Sequence, residues 1–253
     1  LKAQELAASV LAHLSGDSQV HVAAIASFGG IKPLVSLLVS ESTKAQARCA
    51  AVLADMTRSS TEIQTTVAKE GAIDHLVNLL EPVDQAGTGG SLEGRSEAAA
   101  ALWSISTTNT ETTNKIAELG AIPKIVRLLH EKDVPAQKNA AGALASLARG
   151  GGKGENNSKP IQEDIAKGDA IKPLVALLGS KHHDDVHARM AEALAELARG
   201  HNLNQTAVSE VGGIELLVKL LKSDGAEHAK AAAANALWSF STKHAGNQKR
   251  VAD

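Results

Sequence analysis

One phrase, an isoleucine followed by a valine-leucine run after a turn residue, is written five times in this chain. It reads GGIKPLVSLL at 29–38, GAIDHLVNLL at 71–80 and GAIPKIVRLL at 120–129, then DAIKPLVALL at 169–178 and GGIELLVKLL at 212–221. The core isoleucines Ile31, Ile73, Ile122, Ile171 and Ile214 are spaced 42, 49, 49 and 43 residues apart. A second phrase lies between the copies, with its central leucine at Leu11, Leu53, Leu102, Leu144, Leu194 and Leu237. Self-similarity at this period marks a solenoid, in which each unit buries its apolar face on its neighbours rather than in one central core. The length of 253 residues therefore counts units, not globular domains.

Each unit reads as three helices. In the first full copy a short helix carries Val22, Ile25 and Ala26 and stops at Gly29–Gly30, where a positive φ is sterically free. A second helix, 31–39, holds Pro33 in its opening turn, where the missing N–H costs nothing. Pro123 and Pro173 repeat that habit. The third helix, about 44–57, is alanine-rich, as are its counterparts, which favours helix and permits close stacking. The spacing predicts an all-α array with a partial repeat at 1–17, full repeats at 18–59, 60–109, 110–151, 152–201 and 202–244, and a partial repeat at 245–253. Because both ends fall inside a repeat, the chain is expected to be a piece of a longer array, with apolar faces at Leu6, Val10 and Leu14 and at Leu237 and Phe240 open to end-to-end association. Two insertions, 81–95 and 150–160, each lengthen the period by seven residues. Their Gly, Ser and Asn content predicts mobile loops, placed on opposite edges of the ribbon.

Aromatic residues make up only 2%, with two tryptophans and no tyrosine, so the core must be aliphatic. A net charge of −2 gives nothing to draw the whole molecule to nucleic acid. No apolar run approaches the roughly 18 residues of a membrane span, and no signal-peptide pattern opens the chain; an intracellular setting, cytoplasmic or nuclear, is expected. Cys49 is the only cysteine and falls at a small-residue core position shared with Ala98, Ala140 and Ala233. It reads as buried and inert. The one metal-like cluster, HHDDVH at 182–187, reads as a helix start capped by Asp184 or Asp185, with His182 and His183 in the preceding turn. The glycine-rich stretches lack the spacing of a phosphate loop, and no nucleophile elbow or zinc-protease motif is present. No catalytic residue, metal site or cofactor is expected.

Three helices per unit and a turn residue, usually glycine, before A-I-x-x-L-V-x-L-L resemble the armadillo repeat, and so does the third-helix phrase AAGALASLARG at 140–150. The resemblance covers the whole chain. It implies a right-handed superhelix whose third helices line a concave groove that binds an extended peptide or another protein. In peptide-binding members such as importin-alpha and β-catenin, an asparagine two residues after the core leucine holds the ligand backbone. Here those positions are His13, Asp55, Ser104, Ser146, Glu196 and Ser239. Importin-alpha adds a tryptophan two residues before the leucine, where this chain has Ser9, Ala51, Ala100, Gly142, Glu192 and Asn235. Neither ladder is kept, which argues against a nuclear-signal receptor of the importin kind.

By helical phase, the face the resemblance assigns to the groove carries Arg48, Asp55 and Arg58, then Glu97, Trp103, Ser104 and Thr107, then Lys138, Asn139, Ser146 and Arg149. It continues with Arg189, Glu192, Glu196 and Arg199 and ends with Asn235, Trp238, Ser239 and Thr242. Each tryptophan stands directly after a core leucine, either filling a gap between third helices or anchoring a partner. The charged run from Arg189 to Arg199 is spaced for i,i+3 and i,i+4 pairs. The expected function is a scaffold for a partner protein or peptide in the groove, with no nucleic acid and no membrane. The alternative is a non-catalytic, substrate-recruiting region of a larger enzyme, as in U-box ubiquitin ligases that carry armadillo repeats.

Overall fold

The computed structural model describes residues 1–85, 87–150, 158–181 and 183–252. Seventeen helices account for almost all of the ordered backbone among them, and the only β feature is an isolated bridge between Pro82 and Gly90. A lone helix, α1 (Lys2–Asp17), precedes the first triplet: α2 (Gln19–Ser27), α3 (Ile31–Leu37) and α4 (Thr43–Ser59). The second is α5 (Thr61–Lys69), α6 (Ala72–Leu79) and α7 (Leu92–Ile105); the third is α8 (Thr110–Glu118), α9 (Ala121–Leu128) and α10 (Val134–Arg149). The fourth is α11 (Lys159–Lys167), α12 (Ile171–Leu178) and α13 (Asp184–Ala198), and the fifth α14 (Asn202–Glu210), α15 (Gly213–Leu221) and α16 (Glu227–Ser241). The chain closes with α17 (Ala245–Ala252). No single helix among the described residues is long and apolar enough to cross a membrane.

The turn between first and second helices is the same each time. The residue two before the core isoleucine sits at positive φ: Gly29 at 75°, Gly71 at 82°, Gly120 at 71° and Gly212 at 81°. In the fourth triplet Asp169 takes the same conformation, at 60°, with a side chain that the left-handed region disfavours. Four of the five first helices in the triplets are capped by a side chain on the preceding residue: Ser18, Ser60 and Asn109 accept a backbone N–H in the first turn, and His201 does so through Nδ1, whereas Ser158 before α11 does not cap.

The third helices form the tightest row. α1 packs on α4, α4 on α7, α7 on α10, α10 on α13 and α13 on α16, more extensively than any other pairs between repeats. Alanine makes this possible: Ala98, Ala99, Ala101, Ala140, Ala141, Ala143, Ala191, Ala193, Ala233 and Ala236 are all fully buried. The opposite edge is splayed, with an open crevice of about 880 Å³ between α5 and α8 and one of about 500 Å³ between α2 and α5. A ribbon closely packed on one edge and open on the other must curve, and the third-helix row is its concave side. One continuous aliphatic core runs through the array from Ala8 to Phe240.

Three expectations need correction. The insertion at 81–95 is hydrogen-bonded where it is described, and its last four residues, 92–95, are the first turn of α7: Gly90 N–H donates to Glu81 O at 2.7 Å, and Asp84 accepts from Thr88 N–H at 2.8 Å. Gly90 lies so close to Leu79 O that a Cβ there would stand 2.3 Å away, so the loop is seated on α6. The other insertion falls mostly outside the described residues. At the C-terminal end the two residues expected to be open are not, because α17 packs on α16: Phe240 is fully buried and Leu237 nearly so, and Asn247 Nδ2 donates to Phe240 O at 3.1 Å, while Trp238 on another side of α16 stays exposed. Finally, Asp184 does not cap α13. It is the helix's first residue, and its carboxylate accepts the backbone N–H of Ala226 at the start of α16, at 2.6 Å. Asp185 pairs with His228 at 2.9 Å, so both carboxylates tie the fourth repeat to the fifth. His182 lies outside the described residues.

Candidate protein-binding groove

At the bottom of the concave row runs a ladder of side-chain bonds between successive third helices. The residue four after one core leucine meets the residue two after the next. Ser15 donates to Asp55 at 2.9 Å, Thr57 shares a hydrogen with Ser104, and Ser106 donates to Ser146 at 2.8 Å. The next two rungs would start from Ala148 and Ala198, which have nothing to donate. Glu196 is held by arginines instead, and the buried Ser239 hydroxyl has no partner among the described residues.

This ladder corrects part of the sequence reading. Ser104, Ser146 and Ser239 are buried, at 5, 2 and 1% exposure, and so belong to the stacking interface rather than the accessible groove. They occupy the position of the asparagine that the resemblance assigns to holding the ligand backbone, but the hydroxyls of Ser104 and Ser146 bond the neighbouring helix instead of projecting outward. The signal was present in the sequence as a second small polar residue, four after each leucine in the first three rows.

The charged residues stand above the ladder, mostly in pairs. Arg48 bonds Glu93 at 3.2 Å, and Arg58 bonds Asp55 at 3.0 Å. Glu97 is half-buried beside them with no ion pair among the described residues. Burial pushes its carboxyl above the ordinary range, aided by Asp55 and Glu93 and opposed by Arg58 and Arg48. Asn139 donates to Ser96 O and Oγ at 3.2 and 3.1 Å, tying α10 to α7, while Lys138 is half-buried beside it. Thr107 and Thr242 bond back to carbonyls of their own helices. Asn235 is exposed. Cys49, fully buried under this face, has its thiol pushed up to about 12 by burial, which removes thiolate chemistry at neutral pH.

The two tryptophans have different surroundings. Trp103 of α7 lies across α10 on Gly142, where a Cβ would come within 2.6 Å of the ring. Arg189 of α13 covers its outer face, with the guanidinium carbon 4.4 Å from the ring centroid, and bonds Glu192 in turn. The stack thus spans three successive repeats, and the cation over the ring is the chain's own. Trp238 of α16 is 60% exposed; Ala54, Ala145 and Ala195 at the same register are buried under the next third helix, and among the described residues no third helix follows α16.

Comparison with known proteins bears on this architecture directly. A family model described as Armadillo/beta-catenin-like repeat matches residues 109–149, which is the third triplet. An engineered protein solved by the Northeast Structural Genomics Consortium superposes with a TM-score of 0.79 at 30% identity, over 96% of this chain and 92% of its own. The chain belongs to the armadillo repeat family. A designed armadillo repeat protein matches with a TM-score of 0.77 at 26% identity, over 93% of this chain and 92% of that one. Another, solved in complex with the peptide (KR)4, matches at 0.73 and 26%, over 92 and 91%. No curated protein matches the chain. The armadillo fold is in general a non-catalytic scaffold, and no catalytic family is indicated.

Proposed function

We propose that this armadillo array holds an extended segment of a partner protein along its third-helix row. The observation that carries the reading is the third-helix row itself, a concave surface on which Lys138, Arg149, Glu192 and Arg199 remain accessible. Exposed tryptophan is enriched among the residues that dominate binding energy. The similar designed armadillo repeat protein solved in complex with the peptide (KR)4 supports the reading. Trp103, three repeats earlier, would stand roughly 30 Å from Trp238 if stacking follows ordinary helix spacing, so about nine extended residues would touch both. The accessible polar groups between them are Lys138, Arg149, Glu192 and Arg199.

The test uses the chain's composition. With two tryptophans and no tyrosine, intrinsic fluorescence reports on the groove alone. A partner segment should shift that emission, and Trp238→Ala should weaken its binding by roughly thirtyfold, the cost of losing a well-seated aromatic anchor. Trp103→Ala should weaken it less, because Arg189 already covers that ring. Full affinity in a folded Trp238→Ala, Trp103→Ala double variant would remove the groove from the binding mechanism.

A further inference from the structure

The third-helix ends follow a pairing rule that fails once. The residues two and five after the core leucine are Asp55 with Arg58, Ser104 with Thr107, Ser146 with Arg149, Glu196 with Arg199, and Ser239 with Thr242. Acid pairs with arginine in the first and fourth repeats, and the second and fifth carry no charge at either position. Only the third repeat sets an arginine beside a serine, and that serine is already buried in the hydroxyl ladder. Arg149 therefore has no acid of its own. It reaches to the next repeat, where Nη2 donates to Glu196 Oε1 at 3.3 Å. Glu196 already receives Arg199 through both oxygens, Nε at 2.9 Å and Nη2 at 3.0 Å.

One carboxylate thus holds two guanidinium groups, and the cluster carries a net positive charge. The carboxylate is sunk, at 7% side-chain exposure, while Arg149 and Arg199 are 51 and 41% exposed. A guanidinium has five N–H donors, and each of these spends only one or two on Glu196. The helix end beneath is fixed as well, since Gln162 Nε2 donates to Glu196 O at 2.7 Å and to Arg199 O at 3.2 Å.

We infer that the Arg149–Arg199 pair is a seat for an anionic side chain, a carboxylate or a phosphoryl group, on the segment held in the groove. The inference rests on the groove reading and adds the ligand's chemistry. Two forks whose orientation is set from below present outward donors to a planar or tetrahedral oxyanion without first having to be ordered. A second negative group between them would balance the excess charge that Glu196 leaves.

The probe is fluorescein-labelled octaglutamate, measured by anisotropy at low salt, against wild type, Arg149→Gln and Arg58→Gln. The last removes the same charge from an arginine that has its own acid. Arg149→Gln should weaken binding about tenfold, the loss of a charge-assisted contact, and Arg58→Gln should leave it nearly unchanged. A phosphoserine-containing octapeptide run in parallel distinguishes the two anion sources by which binds tighter. Equal losses in both variants would mean general charge attraction, and unchanged affinity in Arg149→Gln would mean a bridge that only stabilises the stack; either overturns the seat, as does the absence of octaglutamate binding. Should Arg149→Gln fail to fold, Arg149→Lys keeps the charge without the fork and should still weaken binding several-fold; no weakening overturns the seat. If octalysine shifts the Trp238 emission while octaglutamate does not bind, the groove stands and the anion seat falls.

Discussion

Ser239 shows how a single missing atom is felt in a stacked array. Its hydroxyl is buried at 1% exposure and has no partner among the described residues, because Ala198 stands where the earlier interfaces place Thr57 or Ser106. An unmet buried hydroxyl costs about 1–3 kcal/mol, and serine in place of alanine inside a helix costs roughly 0.5 kcal/mol. Ala198→Ser should therefore stabilise the fold by about 1 kcal/mol, a rise of roughly 2–4 °C in melting temperature for a chain of this size. Thermal denaturation followed by circular dichroism measures it. A fall in melting temperature would show that the fourth interface is packed too tightly for an added oxygen. The rule behind this was present in the sequence but easy to miss. The apolar positions of a repeat announce themselves by period, whereas a small polar residue acquires meaning only when its partner, one repeat away, is known.

At the scale of the element, the turn before each second helix sets where that helix begins. Asp169 takes at 60° the conformation that glycine takes in the other four repeats. Its ion pair with Lys172 is formed between side chains each 70% exposed and contributes little. Asp169→Gly should thus stabilise the array by about 0.5–1 kcal/mol, with relief of the left-handed strain exceeding the added freedom of the unfolded chain. Chemical denaturation should show a higher midpoint at unchanged slope, and an unchanged or lower midpoint would contradict the argument. Helix number and type were legible from the recurrent leucine, isoleucine and glycine positions, and the core leucines and alanines are buried as their spacing implied. The groove was legible as a face, through helical phase, but not as an accessible surface. Phase tells which way Ser146 and Glu196 point; it does not tell that the neighbouring helix comes close enough to cover them. Nor could it show that Asp184 and Asp185 act on the following repeat, since that depends on how successive units are offset.

For the whole molecule, the contrast between the two ends decides how copies should meet. At the N-terminal end Leu6 is 68% and Phe28 90% exposed, and Leu11, Leu14, Ala24 and Ile25 line a shallow apolar depression beside them. At the C-terminal end α17 buries Leu237 and Phe240 and leaves Trp238 exposed. Association of the N-terminal face with its own copy closes on itself, giving pairs rather than open chains. Sedimentation at rising concentration should show a monomer–dimer equilibrium that Leu6→Lys with Phe28→Lys abolishes. Higher oligomers, or a dimer indifferent to those substitutions, would place the contact elsewhere. Finally, the Trp103 stack bears on how such an array can change length. Repeat proteins grow and shrink by duplicating or losing one unit, which is harmless when each unit touches only its neighbours. Here a ring rooted in the second repeat rests on a glycine of the third and is roofed by an arginine of the fourth. Excising the third unit would bring Glu192 to the place of Gly142, beneath a ring that needs a bare backbone. The heritable unit in this part of the chain is therefore a block of three repeats, and recombination inside it should be selected against more strongly than recombination at its borders.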